Sequence, residues 1–136
     1  MSHSSSAVRA FLHVAPAVVY VVLIFVFGSL PPGSNLNPSV NDKLLHALGF
    51  AAVVPLNQLA FGYAFAQWPP RRTLLTSSVV AAALGGLLEL HQLAFTHRSA
   101  EVLDWVADVV GIGVVAAVLT GYRAWRPADA APTSEG

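Results

Sequence analysis

AFLHVAPAVVYVVLIFVFGSL, residues 10 to 30, is an apolar run with one ionisable side chain, His13. A hydrocarbon core of roughly 30 Å takes about 20 such residues as a helix, whereas a barrel strand needs only about 9–11. Inside lipid every backbone N–H and C=O must pair internally, so a run of this length is read as a helix. Pro31, Pro32 and Gly33 close it, by a missing N–H and a flexible backbone. The run is longer than the apolar part of a signal peptide and no small-x-small cleavage pattern follows, so a retained span is expected. Three more runs follow, at about 42–66, 73–95 and 100–125. The segment WPPRR, residues 68 to 72, separates the second from the third, and Pro55 inside the second is tolerable in a membrane helix. The fold expected is all-α, a four-helix transmembrane bundle over residues 10–126. Residues 1–9 read as a flexible leader, and 127–136 (PADAAPTSEG from Pro127) as a disordered tail.

Composition narrows the function classes. Mean hydropathy is +0.63, and only 10% of residues are Asp, Glu, Lys or Arg. Seven basic side chains balance seven acidic ones, which argues against a nucleic-acid surface. With no cysteine, thiolate metal sites, disulfides and Cys nucleophiles are excluded. Ser99 is the only well-placed hydroxyl and lacks a nucleophile elbow, so a Ser-His-Asp hydrolase is a poor fit.

Orientation follows from the basic residues, which concentrate at cytoplasmic helix ends. Arg9, Arg71, Arg72, Arg123 and Arg126 flank one side of the expected bundle, and only Lys43 and Arg98 the other. Both termini are therefore expected in the cytoplasm of a bacterial cell, with a multi-pass chain in its cytoplasmic (inner) membrane. Tyr63, Trp68, Tyr122 and Trp125 then fall at the inner interface, where amphipathic rings are favoured.

Charge gathers at the opposite end. ELHQLAFTHRSAEVLDWVAD, residues 89 to 108, holds Glu89, Arg98, Glu101, Asp104 and Asp108. At ~1.5 Å per residue, His46 lies about 6 Å in from Asp42, Glu89 about 9 Å in from Phe95, and Asp108 roughly 12 Å in from Ala100. These groups share one layer. They also share faces, because residues three and four apart are neighbours on a helix. The stripes are Asp42, His46 and Gly49; Gly85, Glu89 and Gln92; and Glu101, Asp104, Asp108 and Gly111. A carboxylate facing lipid costs roughly 2.5–3.5 kcal/mol on insertion scales. The stripes must therefore face one another, forming a polar pocket near the extracytoplasmic face.

The pattern Asp42-Lys43-x-x-His46, followed by Glu89-x-x-Gln92, Arg98, Asp104, position 108 and Gly111, resembles the VanZ-like family of small bacterial membrane proteins. The resemblance covers roughly residues 40–115. It departs at Asp108, where the family usually has Asn, which adds a charge and puts any amide-specific role there in doubt. The resemblance implies a multi-pass envelope protein of unsettled activity, linked through the family's namesake to teicoplanin resistance.

Each site residue carries two readings. Asp42 either caps its helix from Ser39-Val40-Asn41-Asp42 or belongs to the site. Lys43 either snorkels to headgroups or holds a ligand. His46 lies a turn inside, where Asp42 could fix its tautomer. Glu89 is a site acid or half of a structural ion pair. Gln92 is ligand-binding or interhelical glue. Arg98 has the fork to hold a carboxylate or phosphate, either Asp104 or a ligand. Asp104 and Asp108 form a like-charge i, i+4 pair, which calls for an intervening cation or a shared proton. Glu101 reads as a first-turn acid, and His91 and His97 as incidental.

His46, Glu89, Asp104 and Asp108 are the candidate catalytic groups, and Asp42, Lys43, Gln92 and Arg98 the candidate ligand-binding ones. A metal site assembled from His46, Glu89, Asp104 and Asp108 is chemically possible, but no local spacing such as H-E-x-x-H supports it, so none is expected, and no cofactor is identifiable. The expected partners are the lipid bilayer and a cell-wall precursor or lipid-linked anionic substrate. The alternative is a non-enzymatic membrane scaffold or partner-binding protein whose buried network is structural.

Overall fold

A computed structural model describes residues 3–30, 41–96 and 101–125. They form four helices: α1 (His3–Gly28), α2 (Asp42–Ala64), α3 (Pro70–Phe95) and α4 (Val102–Trp125). There is no strand among the described residues. Each helix is long and apolar enough to cross a membrane. The all-α, four-helix expectation therefore holds.

Helix ends follow local chemistry. α1 starts seven residues earlier than the sequence suggested, so His3–Arg9 is helix rather than a loose leader. Nothing between His3 and Ala15 breaks a helix, and Tyr63 Oη of α2 donates to Ser6 O at 3.3 Å. α2 is capped by Asn41, whose side chain accepts from Lys43 N at 2.9 Å, which makes Asp42 the first helical residue. The helix continues through Pro55. α3 begins at Pro70 rather than Thr73, because proline at the first helical position gives up an N–H that has no partner there.

α2 is the central helix, packing on α4, α3 and α1. The core is Phe50, Val53 and Val54 of α2, Ala81 and Leu88 of α3, and Ile112 of α4, flanked by Tyr20, Ile24 and Phe25 of α1. Small residues set the spacing. A Cβ on Gly111 of α4 would strike the carbonyl oxygen of Ala47 in α2, so these two backbones touch. Outward positions such as Phe11, Val18, Leu90, Val110 and Val118 are large, apolar and exposed, which suits lipid rather than water.

The two ends of the bundle differ. At one, Arg123 reaches Gln58 Oε1 and Pro70 O, and Arg72 lies over the Trp68 ring at 4.2 Å. Phe65 stacks on Trp68 there, and His13 on Tyr63. At the other end are the amino ends of α2 and α4 and the carboxy end of α3, with the acidic stripes.

Candidate functional site

α2 presents His46 one turn in from its amino end, and the other helices surround the ring with carboxylates. His46 Nδ1 lies 3.0 Å from Asp108 Oδ1 of α4 and 3.9 Å from Glu89 Oε1 of α3. On its other edge, Nε2 is 3.9 Å from Asp104 Oδ2. All four side chains are buried, Asp108 completely. An ionised carboxylate can only accept, so Nδ1 donates to Asp108, and Nε2 points toward Asp104.

Space for Asp108 comes from α3. A Cβ on Gly85 would stand 2.6 Å from Asp108 Oδ2, so only glycine leaves room for the carboxylate between the helices. That oxygen is buried and has no hydrogen-bond partner, and the same is true of Glu89 Oε1. The other oxygen of Glu89 accepts the backbone N–H of Glu101 at 2.9 Å, which ties α3 to the start of α4.

The outer rim is an ion-pair fork. Lys43 Nζ donates to Asp104 Oδ1 at 2.8 Å and to Glu101 Oε2 at 3.1 Å. Lys43 and Glu101 are about half exposed, whereas Asp104 is buried. Asp42 stands beside this group, and one ligand atom each from Asp42, His46 and Asp104 lie within 4.8 Å of one another. Five of the chain's seven acids, Asp42, Glu89, Glu101, Asp104 and Asp108, are thus collected at one end. Lys43 and His46 are the basic groups paired with them among the described residues.

The eight residues expected from the sequence divide into three sets. His46, Glu89, Asp104, Asp108, Lys43 and Asp42 come together. Among the described residues no hydrogen bond joins Gln92 to them; its amide donates to Gly28 O at 3.0 Å and serves the α1–α3 contact. Arg98 lies outside the described residues, as does His97. His91 turns to α1, where Ser29 Oγ stands 3.4 Å from its Nδ1 and Phe25 meets its ring edge-on.

Two contributors were undervalued. Glu101, read as a first-turn acid, both pairs with Lys43 and supplies the N–H held by Glu89. Trp105 sends its indole N–H to Ala82 O of α3 at 3.0 Å, fixing α4 against α3 beside the acids. Its signal is an indole in membrane-grade sequence facing the small residues Ala82 and Gly86, whose i, i+4 spacing leaves a groove for the ring.

No protein-family model, curated protein or solved structure matches the chain.

Proposed function

We propose that the chain is a VanZ-like integral membrane protein of the bacterial cell envelope, whose acid–histidine cluster binds or acts on a cell-envelope or lipid-linked substrate. In this reading the cluster opens at the outer face of the cytoplasmic membrane, and both termini are cytoplasmic. The observation that carries it is His46, buried among Glu89, Asp104 and Asp108 with two carboxylate oxygens left without hydrogen-bond partners. Buried unpaired polar atoms are costly, and packing alone gives no reason to keep them. His46, oriented by Asp108, would exchange a proton with substrate, and Glu89 or Asp104 would take or supply it. Arg98 would hold an anionic group, and Lys43 would join it by exchanging one of its carboxylate partners. The link to glycopeptide resistance rests on the resemblance.

Glu89→Gln, His46→Ala and Arg98→Lys test this reading against thermal unfolding in detergent and glycopeptide susceptibility at matched membrane expression. Glu89→Gln keeps an oxygen to accept the Glu101 N–H, so the bundle should assemble while the phenotype is lost. Unfolding that tracks the phenotype in all three variants points to the second reading, a structural network in a scaffold. That reading draws on the Glu89–Glu101 contact, which joins two helices whatever else the site does. A wild type with no glycopeptide phenotype removes the resistance role.

A further inference from the structure

We propose that Asp42, His46 and Asp104 form a binding site for a divalent transition-metal ion, zinc being the closest chemical fit. The proposal goes beyond the functional reading above and concerns what the cluster holds; with His46 Nε2 on the ion, proton exchange with substrate falls to Glu89.

The argument starts with a gap. His46 Nε2 and Asp104 Oδ2 face each other at 3.9 Å, too far apart for a hydrogen bond. With Nδ1–H held by Asp108 at 3.0 Å, the neutral ring would turn its Nε2 lone pair across the gap, where a metal ion can stand in place of a proton. Asp42 adds a second carboxylate, with all three ligand atoms inside 4.8 Å. His46 and Asp104 are buried and Asp42 partly so, and two carboxylates beside an imidazole call for a proton or a metal ion between them. Lys43 does not fill the role, since it engages the other oxygen of Asp104 and Glu101.

A second observation points the same way. Glu89 is 6% exposed, and its Oε1 is buried without a hydrogen-bond partner 3.9 Å from the same imidazole. Two carboxylate oxygens of the cluster, Glu89 Oε1 and Asp108 Oδ2, are thus buried without hydrogen-bond partners.

The donor set suits the metal. One imidazole nitrogen and two carboxylate oxygens are ligands for zinc and neighbouring first-row ions, and leave a coordination position open. Bonds of about 2.0–2.2 Å put tetrahedral ligand atoms roughly 3.3 Å apart, so side-chain rotations of about an ångström close the site. Asp108 supplies what a metal-bound histidine ordinarily has, a carboxylate on the other ring N–H that fixes tautomer and orientation. No short sequence motif announces the site because its ligands come from two helices.

The test is zinc binding to the full-length, untagged protein in detergent after EDTA treatment and dialysis. Equilibrium dialysis with metal analysis should find one zinc per chain retained by the wild type and lost in Asp104→Asn and His46→Gln. Asp108→Asn should weaken binding roughly 10–100-fold, because it loosens the ring rather than removing a ligand. His91→Ala should bind like the wild type. Cobalt(II) absorption in the visible range reports the ligand geometry independently. Should a ligand variant fail to fold, as judged by helicity, the wild type still decides: zinc must raise its unfolding temperature and EDTA must reverse the rise. Failure to retain zinc, or zinc bound equally by the wild type and both ligand variants, overturns the proposal. Binding without any glycopeptide phenotype leaves it standing and removes only the resistance role.

Discussion

A single methyl group at Gly111 should uncouple packing and site together. An ideal Cβ there lies 2.7 Å from the carbonyl carbon and 2.9 Å from the Cα of Ala47, and closer still to its oxygen. These are backbone atoms of α2 and cannot rotate aside. Moving from 2.7 Å to the 3.4 Å of ordinary contact requires α2 and α4 to part by at least 0.7 Å. His46 precedes Ala47, and Asp108 lies one turn before Gly111. Applied to the 3.0 Å His46–Asp108 contact, the same displacement stretches it past the range of a hydrogen bond. Overpacking costs about 1–3 kcal/mol, and a lost hydrogen bond to a charged group about 1.5–3 kcal/mol. The two costs overlap, so Gly111→Ala should destabilise by about 2–5 kcal/mol.

The control is Gly113→Ala, two residues along the same helix, where a Cβ would meet nothing within 4 Å. Alanine is the better helix former by roughly 0.8–1 kcal/mol in water, so this variant should unfold at or above the wild-type temperature. Circular dichroism melts of the three proteins in one detergent make the comparison. Equal stability of the two variants would refute the close α2–α4 approach, and with it the placement of His46 against Asp108.

Three further outcomes are expected. Asp108→Asn should fold, because an amide oxygen can still accept from His46 Nδ1, whereas Asp108→Leu should cost about 1–3 kcal/mol in chemical unfolding by leaving the buried His46 N–H without an acceptor. Trp105→Phe should lose about 0.5–1.5 kcal/mol in thermal unfolding, the worth of its bond to Ala82 O, and a variant as stable as the wild type would discount that contact. Since the chain has no cysteine, Asn35→Cys and Gln67→Cys can be labelled singly; an impermeant thiol reagent on intact cells should modify position 35 and spare 67, and the reverse would invert the proposed orientation.

Helix number and the gathering of the acids were legible because both follow from the cost of polar groups in lipid. A carboxylate on an apolar helix must find a partner, and counting residues from the helix ends puts His46, Glu89 and Asp108 at similar depth. What the counting could not supply is which side chain meets which. Gln92 shares a face with Glu89 yet turns to Gly28, since a helix stripe is broad enough to serve two neighbours. Lys43 looked free to snorkel, but a four-carbon stem also reaches across to α4, and only the packed geometry shows that it does. The start of α1 was misjudged for a related reason. Polarity marks where lipid ends, whereas a helix ends only where its backbone is interrupted, and nothing in His3–Arg9 interrupts it.

The bundle contains its own comparison for the structural reading of the cluster. At mid-depth α2 meets α3 through Asn57, whose amide faces Ser77 O at 3.4 Å, and near the acids Gln92 meets α1 through Gly28 O. These neutral amides join helices without burying a charge. Where packing is the only requirement, this chain uses such groups or plain glycine contacts. Among the described residues, buried acids are confined to one end, where three carboxylates lie within reach of one imidazole. Each buried ion carries a desolvation penalty of several kcal/mol that a neutral amide avoids. A network retained against that penalty, beside cheaper joints made in the same helices, supports a role in binding or proton transfer over one in packing alone. Replacing His46 and Asp108 together by leucines makes the contrast measurable. If the network is only glue, apolar packing at that joint should stabilise the bundle or leave it unchanged and keep the cellular phenotype; a stable bundle that has lost the phenotype assigns the cluster to function.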